Sequence, residues 1–174
     1  PGDAIVVGVV AFQDGQAVTA IAINDNQGDT FTSTNIVAFD GYPNAIVACA
    51  FGVKGGATII NIVVTGPKVQ GIESVALEYS GVSKLDAWAG RGGGTSGTDG
   101  MASGPATTTS PNDLIIGIGY SPSSVSAGSG FTKREGQGDI LAEDRLATSS
   151  GSQAATETMT ANNYWIMMMA ALSP

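Results

Sequence analysis

The chain has 174 residues, a length that fits one domain, and 43% of them are apolar, enough for a core. Only 13% are charged, the net charge is −8, and the seven basic residues are dispersed, with Lys133 and Arg134 the one adjacent pair. A clustered basic face is therefore excluded, and with it nucleic-acid binding and attraction to anionic membrane.

Strands are predicted from end to end, punctuated by turn residues. The first, Ala4–Phe12, is the longest apolar run. It falls far short of the ~20 residues that span a bilayer, so no membrane insertion is expected. Ala17–Asn24 and Thr30–Ser33 follow, with NDNQGDT read as the hairpin turn between them. Its oxygen-bearing residues suggest calcium, but the usual loop wants glycine at the sixth position and a distant glutamate, from which this segment departs, and a turn explains them. Next come Asn35–Phe39, Ala45–Val53, Ala57–Thr65 and Ile72–Tyr79. Val75, Leu77 and Tyr79 fit strand alternation, although Ile72, Val75, Ala76 and Tyr79 also fit helical spacing. ILAEDRLAT is ambiguous in the same way, and the Gly-rich, β-branched context favours strand in both. GRGGGTSGTDGMASGP, residues 90–105, reads as a Gly-rich mobile loop joining two halves. Ala106–Thr109, Asp113–Tyr120, Phe131–Glu135, Asp139–Ala147, Ala154–Thr160 and Tyr164–Leu172 complete the series.

The pattern predicts an all-β fold: a two-sheet antiparallel β-sandwich, jelly-roll or lectin-like, in one domain spanning 1–174. AIVVGVVAF, AIVACAF, IINIVV and DLIIGIG are apolar on consecutive positions, so both strand faces are expected to be covered, by a second sheet and loops or by a neighbouring subunit. The run Met167–Met169 says the same of the last strand. A weak repeat is visible: DAIVVGV from Asp3 matches DLIIGIG from Asp113, and GDTFTST from Gly28 matches GSGFTKR from Gly128.

The chain has no histidine and one cysteine. Ser-His-Asp and Cys-His catalysis, the commonest zinc ligand and an internal disulfide are all ruled out. Cys49, inside NAIVACAF, is expected to be a buried, inert thiol. Glu143 and Asp144 are adjacent, so on a strand they face opposite ways, with Arg145 the expected salt-bridge partner. Asp139, Glu143 and Glu73 or Glu78 could converge only through the fold. The glycine loop lacks the Gly-Lys-Ser/Thr ending of a phosphate cradle. No catalytic, cofactor or metal residues are predicted. If a glycan is bound, Trp88 is the best aromatic platform, with Arg91 beside it, and Tyr42 and Tyr120 lie near turns. Trp165 reads as core.

Taken in order, GDAIVVGVVAF, AVTAIAINDNQGDTFT, ATIINIVVTGP, IESVALEYSGVSKLDAWAG, SGPATTTSPNDLIIGIGY, GSGFTKRE and ILAEDRLATSSGSQAATETMTANNYWIMMMAAL resemble a β-sandwich domain of uncharacterised function. That domain recurs in secreted or surface proteins of environmental bacteria and in phage virion proteins. LEYSG, TTTSPNDL and AEDR are the most specific pieces. The resemblance implies a lectin-like or jelly-roll sandwich, an extracellular or virion-surface setting, and no catalytic residues. Such domains usually carry chain, often a strand, before the GD-x-I-V-V segment.

The expected function is a non-enzymatic structural or interaction subunit of a virion surface or an extracellular filament. Its partners would be copies of itself or other structural subunits. A carbohydrate-binding or adhesion module is the alternative. Ile5–Val10 is expected to pair antiparallel with Tyr164–Ala170 or to lie beside it in one sheet. Any edge or face left uncovered there would be completed by a neighbouring subunit through strand addition or face packing.

Overall fold

The computed structural model describes residues 2–13, 15, 18–40, 43–94 and 100–174. Tyr42 and the centre of the glycine-rich stretch, 95–99, lie outside the described residues. The fold is all-β with antiparallel pairing, and no helix occurs among the described residues. None of its sheets closes into a barrel.

The first half holds β1 (Ala4–Gln13), β2 (Ala20–Asp25), β3 (Phe31–Ser33), β4 (Val37–Ala38), β5 (Asn44–Phe51), β6 (Ile60–Thr65) and β7 (Val69–Tyr79). The second holds β8 (Lys84–Gly93), β9 (Met101–Ala102), β10 (Ala106–Thr108), β11 (Leu114–Tyr120), β12 (Val125–Ala127), β13 (Thr132–Gln137), β14 (Ile140–Leu146), β15 (Gly151–Gln153), β16 (Thr156–Met159) and β17 (Trp165–Ser173). One large sheet runs β3-β5-β1-β7, with β4 also on β5, and the other runs β13-β14-β11-β17-β8. They face each other across a core that contains Val6, Val10, Val47 and Cys49 from the first and Ile116, Ile118, Met168 and Leu172 from the second. The opposite face of the first sheet, with Ile5, Val7 and Val9, lies under the β2–β6 ribbon through Ile21, Ile23, Ile60 and Ile62. The opposite face of the second, with Ile115, Met167 and Met169, meets Met101, Ala155 and Met159.

These layers explain the consecutive apolar runs. Every residue of β1 is buried, because the strand is central in its sheet and covered on both faces. Met168 points into the core between the large sheets and Met167 and Met169 into the core behind, so the methionine run serves two interiors.

Three expectations are corrected. β1 does not pair with β17; its neighbours are β5 and β7, and β17 belongs to the other sheet. Length and apolarity suit both strands to a double-sided interior, but they do not distinguish a strand beside from a strand across. NDNQGDT is not a hairpin turn: β2 pairs with β6 and β3 with β5, so the segment crosses between layers. Asp25 Oδ1 accepts from the backbone N–H of Gln27 and Asp29, both at 3.0 Å, and Lys54 Nζ donates to the Gln27 carbonyl at 2.8 Å. Finally, the loop expected at 90–105 is partly strand. β8 runs through Gly93, and Met101 in β9 is fully buried. A Cβ would collide with Met168 and Val37 at Gly90, with Phe39 at Gly92 and with Trp165 at Gly93. These glycines permit close packing; they do not mark freedom.

The two halves share one topology. β3-β5-β1-β7 matches β13-β14-β11-β17, and the β2–β6 ribbon matches the β12–β16 pairing. Asp3 and Asp113 precede equivalent strands, and Phe31 and Phe131 pack on the outer cores of their own halves. Across the centre, β5 packs on β17 and β7 on β14. That is the arrangement a pseudo-twofold relation requires.

Cys49 is fully buried, and burial pushes its thiol up to about 12. The native protein is expected to resist a thiol reagent at pH 8 and to react once unfolded, while reductant leaves thermal unfolding unchanged. Stoichiometric labelling of folded protein within minutes would contradict this packing.

Candidate functional site

The first large sheet ends at β7, which has β1 on one side and no strand on the other among the described residues. Val75, Leu77 and Tyr79 turn toward the central core. Ile72, Ser74, Ala76 and Glu78 alternate with them and are exposed, because the β2–β6 ribbon packs on β1 and β5 residues and leaves this strand open. Ile72 is 43% exposed, and Ile59 and Val63, in and beside β6, are 62% and 52% exposed.

Two concavities flank the open strand. The outer one, about 310 Å³, has Ile5, Ile60 and Ala76 among its walls, with Lys54, Thr58 and Glu78. The inner one, about 490 Å³, is lined by Leu77, Glu78, Tyr79, Ser80 and Arg134. Its floor is fixed by a three-way contact. Tyr79 Oη donates to Asp144 Oδ2 at 2.9 Å, and Arg134 Nε donates to the same oxygen at 2.8 Å. Burial and the Asp144 carboxylate raise the Tyr79 hydroxyl, so it stays protonated and keeps donating. Arg134, not Arg145, is the partner of Asp144. Arg145 Nη2 donates to Gln153 Oε1 at 2.8 Å, and its guanidinium lies over the Phe131 ring.

The two residues expected to line a glycan site are not brought together. Both lie on β8, where Trp88 packs against the central core. Arg91, an odd number of residues along an unbroken stretch of pairing, is exposed on the other face. Tyr120 is buried against Phe12, with ring centroids 4.8 Å apart.

A buried carboxyl pair is a polar feature that reading the strands one by one does not reveal. Glu143 on β14 and Glu157 on β16 are both fully buried behind the second sheet. Glu143 Oε2 accepts from the Gly128 N–H at 2.7 Å. Burial lifts the Glu143 carboxyl to about 7, opposed by backbone N–H groups at Gly128 and Thr156 and by Arg145. Burial, and then the Glu143 charge, hold Glu157 well above the usual range. Gly117 and Gly119 make the room: a Cβ at Gly117 would come within 2.8 Å of Glu143 Oε1, and one at Gly119 would overlap the Glu157 carboxyl. In the first half the equivalent positions are Val7, Val9 and Ala48, so the carboxyl pair is peculiar to the second. The sequence signal is the glycine alternation in LIIGIGY, legible only with the repeat in hand. Neither carboxyl has accessible surface, so the charge of each bears on the stability of the fold. Asp113 is similar: burial and the neighbouring Asp86 push it to about 6, while hydrogen bonds from Thr109 lower Asp86. Glu73 meets Asp139 rather than Glu143, and burial followed by that charge raises it.

Among the described residues no group of three or more metal-ligating side chains assembles, and no helix is long and apolar enough to cross a membrane. Comparison with protein-family models, with curated proteins and with solved structures finds no match.

Proposed function

We propose that the chain is a non-enzymatic interaction subunit, a β-sandwich of the layered kind, that joins a larger extracellular or virion-surface assembly. The observation that carries this reading is β7. It is an eleven-residue strand with an open edge among the described residues, beside exposed apolar residues on β6 and β7 themselves. Long open edges are templates for pairing, and proteins usually blunt them. Here Lys68 precedes the strand and no proline or lysine lies within it. The resemblance of the strand segments to surface and virion domains, and a surface built largely without charge, support the extracellular setting.

The test is the particle state of the native protein, by electron microscopy and light scattering. Capsids, tails, filaments or a defined hetero-complex are the expected result. Native protein recovered only as monomers, across concentrations and without companions, would overturn the reading.

A further inference from the structure

We infer that the three-stranded layer behind the second large sheet, β12-β16-β9, is a pH-released cover: it is closed while the buried Glu143 and Glu157 carboxyls are protonated and comes off β11, β14 and β17 as they ionise, with the two large sheets still packed together. The device needs no partner, so it holds whether or not the chain assembles.

The two halves close their outer faces differently. In the first, the β2–β6 ribbon lies on β1 and β5 through Ile21, Ile23, Ile60 and Ile62, an apolar contact. In the second, Met101, Ala155 and Met159, in and beside the layer, meet Ile115, Met167 and Met169 of the sheet. One carboxyl stands on each side of that contact, Glu143 on the sheet and Glu157 on the layer. Glu143 Oε1 and both Glu157 oxygens are buried with no hydrogen-bond partner among the described residues. Glu143 Oε2 takes the Gly128 N–H, which ties the end of β12 to β14.

The charges around the pair do not neutralise it. Arg145 and Asp144, on Glu143's own strand, act on it in opposite directions, and Arg145 is engaged by Gln153 and Phe131. The Gly128 and Thr156 N–H groups favour the Glu143 charge. Lys133 on β13 favours the Glu157 charge, as does the Gly119 N–H on β11, which lies short of hydrogen-bond geometry. β9 and β17 present Met101 and Met167 to the pair. Once ionised, two carboxylates face each other across an apolar contact, each stripped of water and repelling the other. Lifting the layer returns both to water. The central core, with Val6, Ile116 and Met168, lies on the opposite face of the sheet and stays packed. Opening therefore relieves both charges while giving up only the outer contact, at less cost than global unfolding. Each proton released on opening makes the open population climb about tenfold per pH unit, until the closed state ionises too.

Peroxide oxidation of the 174-residue protein, read methionine by methionine in a mass spectrometer, provides the test, because a thioether is oxidised where peroxide reaches it. Met101, Met167 and Met169 lie in the interior under the layer, whereas Met168, on the same strand as the last two, faces the central core. All four are fully buried and should be protected at pH 5. Between pH 5 and 7 the oxidation rates of the first three should rise together by at least about tenfold per pH unit, and at pH 7 exceed that of Met168 by at least about tenfold. Joint Glu143→Gln and Glu157→Gln replacement should abolish the rise, while Glu135→Gln, exposed on β13, should leave it unchanged. Amide exchange of the parent protein needs no variant: Val125–Ala127 and Thr156–Met159 should lose protection as one unit, ahead of β1 and β5. Met168 oxidising in step with Met167 and Met169 would mean that the layer leaves only when the whole domain unfolds, and would overturn the inference even if overall stability falls with pH. A layer equally protected at pH 5 and 7, or a rise that survives the double replacement, would overturn it as well.

Discussion

Gly8→Val is expected to destabilise the protein by about 1–3 kcal/mol, toward the upper end of what overpacking costs. β1 lies over β11 at this point, and a Cβ at Gly8 would stand 2.5 Å from Ile118 Cδ1 and 2.7 Å from Ile118 Cγ2. Ile118 is 2% exposed and has few rotamers to retreat into. Valine is otherwise a better strand residue than glycine, so propensity works against the expected loss and a net loss isolates the collision. Ile118→Ala alone removes a buried side chain and should cost about 2–5 kcal/mol. In the double variant the valine enters the space the isoleucine left. Its loss should fall short of the sum of the single losses by at least about 1 kcal/mol. Urea midpoints of the four proteins provide the cycle. Strict additivity would mean that β1 and β11 do not face each other across the core.

That contact also shows which parts of the fold were legible. Aligning Asp3 with Asp113 places Gly8 opposite Ile118 in the repeat, so one half supplies a hole where the other supplies a knob. The repeat was visible in the sequence because the central strand and the Phe31 and Phe131 segments kept their patterns. The doubly covered strands were visible because AIVVGVVAF and DLIIGIG do not alternate. Pairing was not visible. β1 and β17 look like partners by length and apolarity, yet they belong to facing sheets, and periodicity within a strand carries no label for its neighbour. Gly90, Gly92 and Gly93 were misread for a related reason. Glycine signals freedom in a chain read alone and close approach in a chain read with its neighbours, and here Met168, Phe39 and Trp165 decide. An uncovered edge is expected near the first strand, but its place at β7 is not legible in the sequence, since an edge is defined by an absent neighbour. Glu143 is expected on a strand facing away from Asp144, and the structure agrees, but the local sequence suggests a solvated or salt-bridged role beside Arg145 and not burial. What buries it is the second-half covering layer, together with the glycines that admit its carboxyl.

Stability is expected to fall as pH rises from 5 to 8, and Glu143→Gln should remove much of that slope. The Glu143 carboxyl moves from 4.5 to about 7 on folding because burial penalises its charge. Between those values the folded state holds a proton that the unfolded state has released. Stability therefore declines with pH across that window and stops declining above about 7, when both states are ionised. Between pH 5 and 8 this shift corresponds to a loss of about 2–3 kcal/mol from this residue. Glu157, raised by burial and by Glu143, acts in the same direction. So does Asp113, which moves from 3.8 to about 6 and so contributes at the acidic end. Asp25 and Asp86 are held below their ordinary values and act oppositely, but only as pH falls through 3.8 and below, outside this range. Glutamine at 143 keeps an oxygen to accept from the Gly128 N–H and has no proton to lose. It also removes the Glu143 charge that helps to raise Glu157. The variant should match the parent near pH 5 and melt roughly 5–10 °C higher at pH 8. Thermal unfolding of both proteins at half-unit steps of pH makes the comparison. A parent protein as stable at pH 8 as at pH 5, or a Glu143→Gln slope equal to the parent's, would mean that this carboxyl is ionised and solvated, and that Gly117 and Gly119 make room for something else.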